Sequence, residues 1–153
     1  IPLTDLASFQ MVDIKASGTT AMGDALRLLA DKLNTEVTKT TLEQKGDWKP
    51  MVFIMTDGIP TDDWQAGFNS LKQSNKGIIV GCAAGQGADD RILQQIADSV
   101  VRLDNANADS IAKFFQWVTA SISTTSTKVE ESGIDLTKKD QLPPPPSELI
   151  IVS

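Results

Sequence analysis

An α/β fold, with an open, mostly parallel sheet and helices on both faces, is predicted by three features of this 153-residue chain. Two short apolar runs, Met51-Val52-Phe53-Ile54 and Ile78-Ile79-Val80-Gly81-Cys82-Ala83, have the length and β-branched content of strands buried on both faces. Stretches with helical spacing of apolar residues stand before, between and after these runs. The order is helix, strand, helix, strand, helix, strand, helix, an alternation that implies parallel strands joined by helical crossovers.

Taken in order, Met11-Val12-Asp13-Ile14 is expected to be a short strand. The small, hydroxyl-rich Ala16-Ser17-Gly18-Thr19-Thr20 leads into a helix whose apolar positions are Met22, Leu26, Leu29, Leu33 and Val37, with Thr19 or Thr20 placed to cap it. Pro50 can open the next strand without costing a ladder hydrogen bond. A second helix starts at Thr61 or Asp62, its inner stripe being Trp64, Phe68 and Leu71, and Gly77 ends it. Asp89 to Ala97 is a short helix and Val100-Val101-Arg102-Leu103 a third strand. Asp109 to Ile122 is a helix with Ile111, Phe114, Phe115, Val118 and Ile122 on one face. Residues 1–122 therefore read as the globular part. Residues 123–153 turn Ser/Thr-rich, pass through Lys138-Lys139-Asp140 and reach Pro143-Pro144-Pro145-Pro146, an extended polyproline segment. The closing Glu148-Leu149-Ile150-Ile151-Val152 is strand-like. It adds to a sheet edge, docks on a partner, or stays a flexible terminus.

The bulk composition narrows the function. A formal charge of −6 and a pI near 4.5 leave no basic face for nucleic acid or an anionic membrane. With no histidine and a single cysteine, zinc sites, His-based triads and intramolecular disulfides are excluded. Cys82 lies inside an apolar run and reads as a small core residue. No signal peptide and no apolar run of membrane-spanning length is present, so a cytoplasmic location is expected.

The informative position is Asp57. In open parallel sheets ligands bind outside the carboxyl ends of the strands, and Met51 to Thr56 leads directly to Asp57-Gly58. The hydroxyl-rich loop before the first helix is expected to converge on the same spot. A carboxylate and a threonine hydroxyl are hard oxygen donors of the kind Mg2+ accepts, along with several waters.

Val52-Phe53-Ile54-Met55-Thr56-Asp57-Gly58 resembles the fourth-strand motif of von Willebrand factor A domains, which have a Rossmann-like sheet. Ser17-Gly18-Thr19-Thr20-Ala21-Met22-Gly23-Asp24-Ala25-Leu26 is similar to their threonine motif. Pro2-Leu3-Thr4-Asp5-Leu6, Gly46-Asp47-Trp48-Lys49-Pro50 and Thr56-Asp57-Gly58-Ile59-Pro60-Thr61-Asp62-Asp63-Trp64 resemble the TerY-like group associated with tellurium-resistance clusters. The resemblance spans residues 1–122. It implies a metal-ion-dependent adhesion site binding Mg2+, with Thr20 and Asp57 as metal ligands, and a protein partner whose carboxylate completes the coordination. It further implies a kinase or phosphatase encoded nearby as partner, and no catalysis. Thr19 stands where the family usually has glycine. The family's Asp-x-Ser-x-Ser motif, which the resemblance implies would supply most of the ligands, is absent, and its first strand, helix and hairpin would precede Ile1, so the metal site is expected to be incomplete and not to bind Mg2+ tightly on its own. The expectation is a sheet incomplete at the N-terminus, completed by a missing segment or a second copy.

The competing reading is an enzyme: a Mg2+-dependent hydrolase using Asp57, or a dinucleotide-binding protein using Gly81-Cys82-Ala83-Ala84-Gly85-Gln86-Gly87, with Asp104 closing the next strand. Against the dinucleotide, Asp89 and Asp90 open the following helix, where a pyrophosphate needs a positive site. Asp62 and Asp63 read as first-turn acids, Trp48 and Trp64 as packing residues.

Overall fold

The computed structural model describes residues 1–13, 15, 18–74, 77–132 and 142–152. Ile14 of the expected first strand, Ser17 of the hydroxyl-rich loop and Lys138-Lys139-Asp140 of the tail lie outside them. The chain forms two compact units: Ile1–Trp48 with Pro60–Asn75, and Lys49–Ile59 with Lys76–Ser153.

The first unit is built on two helices, α1 (Met22–Thr35) and α2 (Trp64–Gln73). Met22, Leu26, Ala30 and Leu33 form the buried stripe of α1. The helices cross on two glycines. A Cβ on Gly67 would stand 2.3 Å from the Gly23 carbonyl oxygen, and one on Gly23 would stand 2.3 Å from that of Asp63. Gly67 and Leu71 are the buried positions of α2, while Trp64 and Phe68 of the expected inner stripe are half-buried. Phe68 carries the Lys72 ammonium 4.2 Å from its ring centroid.

Three local expectations are corrected here. Met11–Asp13 form no strand and are exposed, having no neighbouring strand to pair with among the described residues. Neither Thr19 nor Thr20 caps α1, whose N-cap position is Ala21 with no side-chain cap. Instead the Asp62 carboxylate takes both orphan amides: Gly23 N–H donates to Oδ1 and Asp24 N–H to Oδ2, each at 2.9 Å. The cap thus comes from a distant residue at the positive end of the helix. Asp63, not Thr61 or Asp62, caps α2, its carboxylate accepting from Ala66 N–H at 3.0 Å. After α1, Asp47 closes a loop: Thr38 N–H donates to its carboxylate at 2.7 Å, and its own N–H donates to the Thr38 carbonyl at 2.9 Å.

The Gly23 amide is the leading reason that Asp62 sits below the usual carboxylate range. Because the folded value is depressed, this contribution is fully present above the unfolded value. It is lost as pH falls through the folded one. Amide protection at Gly23 and Asp24 is therefore expected to be high at neutral pH and to fall below about pH 4. Asp62→Asn should lower it at neutral pH and flatten the acid dependence. Hydrogen exchange read against pH checks this, and an unchanged profile in the variant would contradict it.

The second unit holds a four-stranded sheet in the order β1 (Met51–Thr56), β2 (Ile78–Ala84), β3 (Ser99–Leu103), β4 (Ile150–Val152). The first three are parallel and β4 runs antiparallel to β3. Only β2 is buried along its whole length. β1, expected to be buried on both faces, is half-buried over Met51–Met55, because it is the outermost strand of the sheet. Helices lie on both faces. Ile78, Val80 and Cys82 pack with Val101, Leu103, Phe114 and Trp117, on the side of α4 (Ala108–Ser132). Gly81, on the opposite face, lets α3 (Asp90–Ile96) come close: its missing Cβ would lie 3.3 Å from the Ala97 Cβ and 3.4 Å from that of Leu93. Burial pushes the Cys82 thiol up to about 12, so it stays protonated and unreactive.

Helix α4 runs past Ile122 into the Ser/Thr-rich stretch, and its buried residues are Phe114, Trp117, Ser121 and Thr125; of the expected face, Ile111 and Val118 pack against the core beside Phe114. Phe115 and Ile122 are exposed. Hydroxyls can occupy a buried helical face when they return to the carbonyl one turn back. Ser121 Oγ does so, donating to the Trp117 carbonyl at 2.8 Å, and Thr119 and Thr127 do the same at the surface. The tail returns to this helix. Trp117 Nε1–H donates to the Pro143 carbonyl at 2.9 Å, Lys113 pairs with Glu148 at 2.6 Å, Leu149 is buried in the core, and β4 covers the free edge of β3.

Candidate functional site

In the second unit the carboxyl ends of β1, β2 and β3 lie side by side, Thr56 level with Ala83 and Ala84 level with Leu103. Three loops leave from this edge: Asp57-Gly58 after β1, Gly85 to Asp89 after β2, and Asp104 after β3.

Asp57 is exposed on a turn that is fixed from two sides. In front, the buried Thr56 hydroxyl donates to the Gly58 carbonyl at 3.2 Å and lies 3.3 Å from the Gly58 amide that it accepts. Behind, the β2 loop presses on the turn: a Cβ on Gly87 would stand 2.6 Å from the Asp57 carbonyl oxygen, so only glycine fits there. The Asp57 carboxylate is thereby presented at the strand end, where the sequence reading expected it.

The β2 loop is organised by Arg102, which projects from β3. Its Nε donates to Asp90 Oδ2 at 2.8 Å and its Nη2 to Asp90 Oδ1, a bidentate pair. Nη1 donates to the Gly85 carbonyl at 2.9 Å and Nη2 also to the Ala88 carbonyl at 3.2 Å. Both charged side chains are mostly buried, 21% and 23% exposed. Gly85 has φ +77°, a left-handed turn that favours glycine, and its N–H donates to the Leu103 carbonyl at 2.7 Å. Asp89 turns its carboxylate onto the Arg91 amide at 2.9 Å. The glycines of this loop thus serve a tight crossing built around a guanidinium. Its carbonyls point at Arg102, and two carboxylates stand where a pyrophosphate would have to sit. Beside it opens a cleft of about 360 Å³, lined by Ile59, the 86–90 loop, Arg91 and Arg102.

Arg102 escaped the sequence reading, though a signal existed. A single cation in an otherwise apolar strand needs a carboxylate partner when buried, and Asp89-Asp90 opens the preceding helix.

Thr20 belongs to the first unit, half-buried. Its carbonyl accepts the Thr61 amide at 2.9 Å and the Thr61 hydroxyl at 3.2 Å, which ties the loop before α1 to the segment before α2. Asp62 and Asp63 are engaged as helix caps.

Among the described residues, no three His, Cys, Asp or Glu side chains lie close enough to hold a metal ion. A closed carboxylate cage is therefore not what these residues offer. Mg2+ usually keeps several waters and takes one or two carboxylates, and Asp57 is an exposed carboxylate at the end of β1. No helix among the described residues is long and apolar enough to cross a membrane.

Compared with known proteins, residues 5–117 match the family model of the von Willebrand factor type A domain. No curated protein and no solved structure matches the chain.

Proposed function

The chain belongs to the von Willebrand factor type A domain family, and on that premise we propose that it is a non-catalytic recognition module in which the Asp57 carboxylate helps hold a Mg2+ ion completed by a partner protein's carboxylate. Domains of this family are generally metal-dependent protein-interaction modules. The observation that carries the reading here is the Asp57 carboxylate, exposed at the end of β1 on a turn braced by Thr56 and Gly87. A cation held by few protein oxygens keeps open positions, and a carboxylate can fill one of them. That is recognition without bond breaking. The residues agree with it: the thiol of Cys82 is buried and protonated, and no histidine is available as a general base. The Gly46-Asp47-Trp48-Lys49-Pro50 and Ile59-Pro60-Thr61-Asp62-Asp63-Trp64 stretches favour a TerY-like module of tellurium-resistance clusters, working in the cytoplasm with a kinase or phosphatase as partner.

Calorimetry of the whole chain with Mg2+ and, separately, with NAD tests the proposal. Mg2+ is expected to bind weakly, because the family's first-strand ligands are absent, Asp57→Ala to abolish the heat of binding, and NAD to give none. Micromolar NAD binding that is indifferent to metal would overturn it in favour of a dinucleotide-dependent enzyme.

A further inference from the structure

We propose that Arg102 is a positioning residue for Asp57: it sets the β2 loop whose Gly87 braces the Asp57 turn, and so sets the cation affinity of the strand end. The inference rests on the reading of Asp57 as a cation ligand and adds to it a residue that neither touches the cation nor lies next to Asp57 in the chain.

The geometry runs through three contacts, all within one compact unit. Arg102 spends its guanidinium on a single loop, meeting the carbonyls of Gly85 and Ala88 and both oxygens of Asp90. These anchors bracket Gly87. Gly87 in turn sits so close to the Asp57 carbonyl that not even a methyl group can intervene. A loop held at both ends by one planar, rigid group is a fixed wall, and the turn rests against it. The Thr56 hydroxyl holds the other side of the turn with bonds of 3.2 and 3.3 Å, each slightly longer than the usual range for its type. The hydroxyl alone is therefore a weak restraint, and the wall supplies the rest.

The chemistry of the anchors also specifies the residue. Two carbonyls and a bidentate carboxylate require at least four N–H directions in one plane, which arginine has and lysine lacks. A lysine can meet Asp90 but cannot also hold both carbonyls in the same geometry. Partners that orient a metal ligand, when removed, typically cost about 10–100-fold in metal affinity. Because Arg102 acts one step further back, through a loop, the lower end applies.

The test uses the whole chain and Mg2+ alone, titrated by calorimetry well below each variant's unfolding temperature, with amide hydrogen exchange read at Gly58 and across 85–88. Four variants are compared: Asp57→Ala, Arg102→Gln, Arg102→Lys and Gly87→Ala. The expected pattern is no Mg2+ binding in Asp57→Ala, about tenfold weaker binding in Arg102→Gln, an intermediate loss in Arg102→Lys, and faster exchange at Gly58 together with the loop in both arginine variants. Gly87→Ala keeps the arginine and displaces the turn directly, so it should also weaken Mg2+ and keeps the test decisive if Arg102→Gln does not fold. Wild-type Mg2+ affinity in Arg102→Gln or in Gly87→Ala, with Asp57→Ala inactive, overturns the positioning role and leaves the proposed function standing. Unchanged Mg2+ binding in Asp57→Ala defeats the proposed function itself. In that event Gly58 exchange still decides the positioning claim, since unaltered exchange in Arg102→Gln would remove it.

Discussion

Trp117→Ala is expected to destabilise the sheet-bearing unit by about 3–5 kcal/mol and to release the C-terminal segment with it. Trp117 is 6% exposed and belongs to the core beneath β2 and β3, with Phe114 6.2 Å away between ring centroids. Truncation leaves a cavity that the sheet on one side cannot collapse to fill. It also removes the indole donor that holds Pro143, so the tail loses its first anchor before Lys113–Glu148 and Leu149. A released tail would bare the β3 edge that β4 covers. Trp117→Phe separates the two effects. It keeps one buried ring but loses the hydrogen bond, about 1 kcal/mol, and leaves a smaller cavity than alanine does, while still loosening the tail. Chemical denaturation gives the first quantity and limited proteolysis of 142–152 the second. A Trp117→Ala variant with an unchanged midpoint and an uncut tail would show that the tail and helix are not one packed structure.

Gly67→Ala is expected to destabilise the two-helix unit even though alanine is the better helix former. Alanine favours the helix over glycine by up to about 1 kcal/mol. Against this stands a Cβ 2.3 Å from the Gly23 carbonyl oxygen, 2.8 Å from its Cα and 2.9 Å from its carbonyl carbon. All three are backbone atoms, so no side chain can swing away and the helices must separate. Overpacking of this sort costs about 1–3 kcal/mol, and Asp62 is tied to the first turn of the same helix through Gly23 and Asp24. Separation therefore strains that cap as well. Hydrogen exchange in α1 and α2 would show the loss. Protection equal to or above that of the unaltered chain would mean that the helices have room to spare, and the crossing described here would be wrong.

Much of the fold was legible in the residues. The positions of β1, β2, β3 and the four helices follow from runs and spacings that each segment carries by itself. So does the carboxylate at the end of β1, since a strand that ends on Asp-Gly presents it. What was misread has a common cause. Hydrophobicity alone places Phe115 and Ile122 on the inner face of α4 beside Ile111, Phe114 and Val118, yet both are exposed. Ser121 replaced them because its hydroxyl could bond the Trp117 carbonyl. Thr19 and Thr20 were credited with the α1 cap because caps are usually local, whereas the donor amides found a carboxylate elsewhere.

The alternation of elements, the family and the placement of Asp57 can be read from the residues, because these depend on residues within a few positions of one another. Tertiary structure alone decided which strand is central, what caps α1, what holds Asp57 in place and where the tail lies. Asp62 reaches Gly23 across 39 positions, Trp117 reaches Pro143 across 26, and Arg102 reaches Asp90 across 12. Most buried donors and charges find a partner, the Thr125 hydroxyl being an exception here, but which group each finds is set by the path of the chain through space, and no local pattern encodes that path.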